Sequence, residues 1–494
     1  MKGAQLRAPE LAPPNLQRRS EDPALRDERQ PPPGGPPKTP LKGARVDIDG
    51  LNLALEEGTG VATYGRNLAT SLSDLGCSVG ILYGSAAGGR DDLLAEISFF
   101  DPPDEFPKRK MRLARDAAAV MGASLGVRAR RIRLSGAVIT EDFSARVSGF
   151  DRILNVRSLF KTANTYFDVF GRTLNVTVPD PPALMHWTYP VPITVKGALN
   201  IYTVHDLVPL RLPHTTLDHK RRYLRLVRIL AEQADHLVTV SESSRQDIMD
   251  LLGVPPTRVT NTYQSIDMEG WGSEASMEAV RAEVSGVFGL TPGEYLLFFG
   301  AIEPKKNLGR LIQAYLAANL STPLVIVGRR AWKSARELRL LGYEASQRPG
   351  QPLVRRTGRE VAAAQRVLEI DYAPRRLLGS LIRGAKAVMF PSLYEGFGLP
   401  VLEAMSLGAP VLTSLTSSLP EVAGEAALMV DPYDVTAISA AIVRLDRDAD
   451  LRAQLSMRGP AQAAKFSASA YKQRLVEVYS GLGLGGSSAR ASSE

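Results

Sequence analysis

The chain of 494 residues contains one cysteine, Cys77, and lacks any run of about 18 apolar residues. A single cysteine excludes an internal disulfide and a cysteine-based metal cluster, and it is typical of a reducing compartment. Without a long apolar run, no membrane-spanning helix is expected. Because the N-terminus also lacks the apolar core of a signal peptide, we expect a cytoplasmic protein.

Charge of one sign is not in large excess either. Lys and Arg number 60 against 52 Asp and Glu, which gives a net charge of +8. This excess suits a polyanionic ligand or an anionic membrane surface, but it does not by itself indicate nucleic acid. Hydrophobic residues make up 44% and charged residues 23%, as in ordinary globular proteins with two or three domains at this length.

Residues that could form a core are scarce at both ends of the chain. Residues 1–43 carry ten of the 34 prolines and few β-branched or aromatic residues, so we predict a disordered tail there. We predict a second tail at 481–494. Its G-x-G-x-G-G pattern lacks a preceding strand and a following helix, so it does not indicate a dinucleotide site.

Between the tails, short apolar segments alternate with helical patterns. These segments include "ARVDID", "SVGILYG", "LNIYTVHD", "YLLFFGAIE", "PLVIVG" and "AVMFPS". Such segments are typical of buried parallel strands covered by helices. They are too many for one sheet, and the polar stretch 264–276 indicates a junction. We predict two tandem Rossmann-like, doubly wound α/β domains, 44–270 and 271–460, with a ligand cleft between them and a final helix at 461–480.

Charged and glycine-rich loops follow two of these strands in the second half. Lys305 and Lys306 follow "LLFFG" and lead into a helix, which favours a diphosphate site, although a solvated lysine pair explains them equally well. After "AVMFPS" comes "YEGFGLPVLEAMSLGAP", where glycines would let a ligand approach the backbone. Glu403 in the following helix suits ribose hydroxyls, or alternatively the helix dipole.

Three features of the first half also lie near strand ends. Gly58 and Gly60 open a helix and form a weak candidate for a phosphate or sugar contact. Asp47 and Asp49 spell D-x-D inside a predicted buried strand; we expect that they do not share one ion, and we predict no metal. His205 ends a strand, where it is either structural or part of the site.

Together these segments resemble the retaining glycosyltransferases of family four, which have the two-domain GT-B fold. The resemblance covers about residues 44–480 and rests on five blocks in the family's order. They are "TVHDLVPL", "TVSESSRQDI", "FFGAIEPKKNLGRLIQAY", "YEGFGLPVLEAMSLGAPVLTS" with its Glu-x7-Glu pattern, and "SSLPEVAGEAALMVDP". The sequences of these blocks are most similar to those of mannosyltransferase-like members that build bacterial surface polysaccharides.

The resemblance implies a role for each matching residue. Lys306, with Lys305 beside it, would neutralise the donor diphosphate. Glu395 would lie near the donor sugar and Glu403 on the ribose. His205 would face the reacting carbon from the acceptor-side domain.

Backbone contacts are implied as well. The backbone of Gly396, Phe397, Gly398 and Leu399 would surround the sugar and phosphate. Gly58 and Gly60 would face the diphosphate from across the cleft. The final helix would cross back onto the first domain.

The implied activity is metal-independent transfer of a hexose, mannose from GDP-mannose first, to a growing surface polysaccharide or a lipid-linked glycan. No cofactor is expected beside the nucleotide-sugar. Arg375 and Arg376 replace an expected acidic residue on the base side, so a UDP-sugar donor stays open. A non-catalytic scaffold is the other alternative. A dehydrogenase would need G-x-G-x-x-G after the first strand, which is absent.

A basic segment lies in the acceptor-side half. Residues 108–133 hold nine Lys or Arg and one acid, Asp116, among apolar residues. We expect either a peripheral contact with an anionic membrane, or a solvated helix pair or mobile loop over the acceptor groove.

Overall fold

Strands of the first half of the chain form two sheets. The structure is a computed structural model and describes residues 41–53, 60–86, 91–100, 119–124, 126–138, 149–341, 343–344, 354–355 and 366–485. In chain order, the strands of this half are β1 (Arg45–Asp49), β2 (Ser78–Tyr83), β3 (Val127–Arg128), β4 (Arg130–Ile132), β5 (Arg152–Asn155), β6 (Leu174–Thr177), β7 (Leu184–Trp187), β8 (Ile193–Val195), β9 (Leu199–Thr203), β10 (His236–Thr239) and β11 (Val259–Asn261). The larger sheet has eight strands in the order β11-β10-β9-β7-β1-β2-β5-β4, and β3, β6 and β8 form a smaller one. The larger sheet is parallel except at its edge, where β4 runs antiparallel to β5.

The second half forms its own parallel sheet. Its strands are β12 (Leu296–Phe299), β13 (Leu324–Val327), β14 (Tyr343–Glu344), β15 (Val354–Arg355), β16 (Val367–Ile370), β17 (Ala387–Phe390), β18 (Val411–Ser414) and β19 (Leu428–Val430). Six of them pair in the order β16-β13-β12-β17-β18-β19, and β14 pairs with β15 as a separate ribbon. The prediction of two tandem α/β domains is therefore confirmed.

Helices connect most neighbouring strands. They are α1 (Gly60–Asp74), α2 (Asp92–Phe100), α3 (Leu159–Phe170), α4 (Val208–Arg211), α5 (Lys220–Gln233), α6 (Glu242–Leu252), α7 (Met277–Phe288), α8 (Leu308–Ala318), α9 (Ser334–Glu337), α10 (Arg375–Gly384), α11 (Leu399–Ser406), α12 (Leu419–Ala423), α13 (Val435–Arg447), α14 (Ala449–Ala463) and α15 (Ala468–Gly481). Strands β12, β13 and β17 are buried along their whole length because helices cover both faces of the sheet. No helix among these described residues is long and apolar enough to cross a bilayer.

Two predicted tail boundaries are wrong by a few residues. Leu41 is completely buried, and its carbonyl oxygen accepts a hydrogen bond from the Cys77 thiol at 3.8 Å. At the other end α15 runs to Gly481, and Leu484 is buried beyond it. One leucine in each tail therefore belongs to the hydrophobic core, while residues 1–40 and 486–494 lie outside the described residues.

The basic segment is not one amphipathic helix over its described part. Residues 126–133 contain the short strands β3 and β4, and Arg128, Arg130 and Arg131 are exposed. Residues 108–118 and residue 125 lie outside the described residues.

A buried polar network fastens α15 onto the first sheet. His186 of β7 is fully buried, and its two ring nitrogens lie 2.6 Å from the Tyr479 hydroxyl and 2.8 Å from the Thr203 hydroxyl. The Tyr64 hydroxyl lies 2.8 Å from the same Thr203 oxygen. Each of these four side chains therefore has a polar partner where the last helix packs on the first domain, so none of them is buried unpaired.

This network predicts a loss of stability in acid. Burial lowers the pKa of His186 to about 3, whereas an unfolded histidine titrates near 6.5. The unfolded chain therefore binds more protons between these values, and the stabilisation present above pH 6.5 is lost as the pH falls. For this residue we expect a loss of about 2 kcal/mol between pH 7.5 and pH 5.

The measurement is urea unfolding of the wild type and His186→Asn at both pH values. The variant lowers stability at neutral pH but should lose about 2 kcal/mol less on acidification. An equal loss in both proteins would show that His186 is not the titrating group.

Candidate active site

An asparagine holds the two lysines at the carboxyl end of β12. The lysines form a single turn of 3₁₀ helix, Pro304–Lys306, and Asn307 ends it in the left-handed conformation with φ of 62°. The Asn307 side chain donates hydrogen bonds to the carbonyl oxygens of Pro391, at 2.9 Å, and Pro432, at 2.7 Å. The lysine turn is therefore fixed against the end of the neighbouring strand β17.

Lys306 and Glu395 meet across these two strand ends. The Lys306 Nζ lies 2.7 Å from Glu395 Oε1, and the Lys305 Nζ lies 3.9 Å from Glu395 Oε2 and 3.6 Å from Glu303 Oε1. Burial opposes ionisation of Glu395, but the charges of Lys306 and Lys305 hold its pKa below the usual range. Glu395 is therefore a carboxylate at neutral pH, and it orients both lysines.

The glycine loop approaches the first domain closely at Gly396. A Cβ added there would lie 2.8 Å from the His205 carbonyl oxygen and 3.0 Å from Asp206 Oδ2. Gly398 has φ of 107°, which residues with a side chain rarely adopt, and it is the N-cap that precedes α11. The Ser418 hydroxyl lies within hydrogen-bond distance of two carbonyl oxygens of this loop, at 3.0 Å from Glu395 and 2.7 Å from Phe397.

The pKa of Glu403 is shifted in the opposite direction to that of Glu395. Glu403 lies half-buried in α11. Burial raises its pKa to about 7, although the charges of Arg375 and Lys306 oppose that shift. A carboxylate whose pKa is shifted this far by burial, beside two cations, is typical of a site that receives a ligand. The structure therefore distinguishes two glutamates that look alike in the sequence.

His205 faces this loop from the end of β9. Its Nε2 hydrogen bonds to the Thr188 carbonyl oxygen at 2.9 Å. Because a carbonyl only accepts, the proton lies on Nε2 and Nδ1 is the acceptor. Burial lowers the pKa of His205, so the ring is neutral at pH 7.

Gly60 begins α1 on the other side of the cleft. A Cβ at Gly60 would lie 3.9 Å from Leu399 Cδ1, so the starts of α1 and α11 face each other. Gly58 lies outside the described residues. The close approaches of Gly60 to Leu399 and of Gly396 to His205 bring predicted site residues of the two domains together.

The D-x-D residues are engaged elsewhere. Asp47 and Asp49 are two residues apart in β1 and therefore lie on the same face of the strand, but they bind different partners. Asp47 accepts a bidentate pair of hydrogen bonds from Arg152, with atoms at 2.8–3.0 Å. Asp49 accepts backbone hydrogen bonds from Thr188, at 2.5 Å, and Leu51, at 3.2 Å.

Sequence reasoning missed the residues that join the two domains. Glu421, at the start of α12, accepts the backbone N–H groups of Glu242 and Ser243 at 2.9 Å each, and so caps α6 of the first domain. The Tyr394 hydroxyl hydrogen bonds to Asp247 in the same helix. An available signal was the free helix N-terminus that follows β10, which favours a carboxylate partner.

Comparison with known proteins agrees with this architecture. Residues 170–269 match the family described as Glycosyltransferase Family 4, and residues 288–462 match the family described as Glycosyl transferases group 1. Sucrose-phosphate synthase from Thermosynechococcus elongatus superposes with a TM-score of 0.58 at 16% identity, covering 89% of this chain and 99% of that one. At this identity the likeness concerns the fold, which is GT-B.

Two relatives from Escherichia coli share more of the sequence. The chain is 33% identical over 272 residues to O-antigen chain mannosyltransferase B, covering 54% of this chain and 66% of that protein. It is 29% identical over 292 residues to the serotype-specific mannosyltransferase WbdA, covering 57% of this chain and 33% of that protein. The chain thus matches just under two-thirds of one relative and one-third of the other. It belongs to the family-four glycosyltransferases.

The two glutamates should respond oppositely to neutralisation. We expect Glu403→Gln to stabilise the ligand-free protein at pH 8 by up to about 3 kcal/mol, because the charged form is disfavoured in the fold. The gain should shrink by about 2 kcal/mol at pH 5.5, where Glu403 is already protonated.

The matched variant is Glu395→Gln. It should destabilise the protein by about 3 kcal/mol, because the buried Lys306 and the half-buried Lys305 lose their counter-charge. Denaturant unfolding of both variants at both pH values checks the pair. If both variants change stability in the same direction, the assignment of their charge states is wrong.

Proposed function

We propose that the protein is a retaining glycosyltransferase that moves a hexose from a nucleoside-diphosphate sugar to a glycan. The observation that carries this proposal is the Lys306–Glu395–Lys305 cluster, which lies at the carboxyl ends of two parallel strands and opposite His205. Ligands of such sheets bind at this edge. The first choice of donor is GDP-mannose, because both curated relatives described above are named as mannosyltransferases.

The lysines would act on the leaving group. When the sugar–phosphate bond breaks, negative charge grows on the diphosphate and positive charge on the sugar. Lys306 and Lys305 are held in place by Glu395 before the ligand arrives, so little reorganisation is needed. A preorganised donor of this kind contributes roughly 3 kcal/mol, or about a hundredfold in rate.

The remaining residues would position the sugar and ribose. The backbone from Gly396 to Leu399 would surround the sugar and phosphate, while Glu403 would accept hydrogen bonds from the ribose hydroxyls. His205 Nδ1 is an acceptor and would hold a sugar hydroxyl near the reacting carbon. The incoming hydroxyl would attack from the face that the diphosphate leaves, and the diphosphate would take its proton. The contacts of Glu421 and Tyr394 with α6 would help to exclude water.

Two alternatives rest on different observations. Arg375 lies at the start of α10, 3.4 Å from Asp267. It stands where the family resemblance leads us to expect an acidic residue on the base side. A UDP-sugar is therefore the second donor. A non-catalytic scaffold is the other alternative, and it predicts at best millimolar affinity for every nucleoside diphosphate. Calorimetric titration with GDP and UDP separates the three.

The acceptor would be a growing surface polysaccharide or a lipid-linked glycan at the cytoplasmic side of a membrane. Residues 108–133 would supply a reversible contact with anionic lipid, at roughly 1 kcal/mol for each cation near the surface. After sedimentation with anionic vesicles the protein should therefore be found in the vesicle pellet, and charge reversal at Arg128, Arg130 and Arg131 should leave it in the supernatant. Equal recovery with neutral vesicles would contradict this contact.

The decisive experiment is hydrolysis and transfer with a panel of nucleotide-sugars, measured on the wild type and Lys306→Ala. We expect the variant to lose about two orders of magnitude in turnover, with and without EDTA. Lys305 stays 3.9 Å from Glu395, so the site keeps one counter-charge and the protein should still fold.

The matched control is Lys386→Ala. Lys386 forms a partly buried ion pair in the same domain, 2.7 Å from Asp446, but away from the cleft. Its removal should leave turnover unchanged. Near-normal turnover in Lys306→Ala would show that Lys306 does not bind the diphosphate. Activity that is lost with EDTA and returns with manganese or magnesium would contradict metal independence.

A further inference from the structure

A cavity of about 300 Å³ opens beside Lys305 and His205, and Glu403 is not among its lining residues. Its volume is at the small end of the range of about 300–1,000 Å³ for small-molecule sites. The segment 215–218 and Tyr189 of the first domain line it, together with Glu303 and Trp332 of the second domain. The cavity is therefore complete only when both domains contribute to it.

Acids outnumber cations among the residues that line this cavity, while Lys220 and Lys333 lie just outside the lining, beside Thr216 and Trp332. Asp206, Asp218 and Glu303 line it, and Lys305 is the cation among its lining residues. That lysine is already shared, because its Nζ lies 3.6 Å from Glu303 and 3.9 Å from Glu395. Burial raises the pKa of the neighbouring Tyr189 to about 12, and the negative charges of Asp218 and Asp206 add to this rise.

Aromatic faces complete the lining. Tyr189 stacks beside the His205 ring with centroids 6.5 Å apart, and Tyr223 donates a hydrogen bond to the Asp206 carbonyl oxygen at 2.9 Å. Trp332 closes the side formed by the second domain. Flat rings suit the C–H faces of a sugar ring, and carboxylates accept hydrogen bonds from its hydroxyls.

We propose that this cavity binds the uncharged terminal sugar of the acceptor, and that Asp218 and Trp332 determine its specificity. The inference rests on the proposed function for the reaction, but not for sugar binding itself. The carboxylates would orient the hydroxyl groups of a neutral hexose beside the reacting centre. They would disfavour an acceptor that carries a phosphate at the same end, because three acids and one lysine line the cavity.

The kinetic test compares α-mannobiose with mannose 6-phosphate as acceptors at saturating donor. We expect the wild type to use the phosphorylated sugar with at least a tenfold lower kcat/KM. Asp218→Asn should raise the KM for α-mannobiose about tenfold and reduce the discrimination against mannose 6-phosphate. Trp332→Ala should raise the same KM at least tenfold, while donor KM and donor hydrolysis without acceptor stay unchanged.

The matched control is Asp250→Asn, an exposed acid on the same domain that does not line the cavity. It should leave all these values unchanged. An unchanged acceptor KM in both cavity variants overturns the proposal, and so does an equal rise in donor KM, which would make the cavity the donor-sugar site.

A binding measurement separates this proposal from the proposed function. Saturation-transfer NMR with α-mannobiose, on protein without any nucleotide-sugar, should detect binding in the wild type that Trp332→Ala abolishes. Sugar binding without donor hydrolysis would refute the proposed function and support the cavity. Donor hydrolysis without sugar binding or an acceptor effect would refute the cavity alone.

Discussion

The contact between Lys306 and Glu395 is the interaction on which the rest of the site depends. It joins the ends of β12 and β17 at 2.7 Å, in a place where either charge alone would be costly to bury. The charges of the two lysines keep Glu395 ionised, and Glu395 in turn holds both cations at the mouth of the cleft. The lysine turn, the Asn307 side chain that fixes it and the glycine loop all hold the two side chains of this contact in position.

Close approach of the two domains is the second constraint. Gly396 leaves no room for a side chain against His205, and Glu421 caps a helix of the opposite domain. These contacts bring the neutral imidazole of one domain to the charged cluster of the other. A site assembled in this way excludes water when closed and admits ligands when the domains separate.

Burial also creates a difference in charge within one motif. Glu395 faces two lysines and stays ionised, whereas Glu403 is disfavoured as an anion until something offsets its burial. The ligand-free protein therefore stores an unfavourable interaction at Glu403 above pH 7. Functional sites commonly keep such local instability because the bound ligand relieves it.

The sequence alone determined the two-domain α/β architecture and most of the strand ends that carry the site. Short apolar segments, glycine loops and the Glu-x7-Glu spacing are local patterns, so they can be read without coordinates. Tertiary structure decided the rest: the partners of Asp47 and Asp49, the tautomer of His205, the charge of Glu403 and the acid-lined cavity. Each of these depends on side chains far apart in the chain, and on burial, which no local pattern specifies.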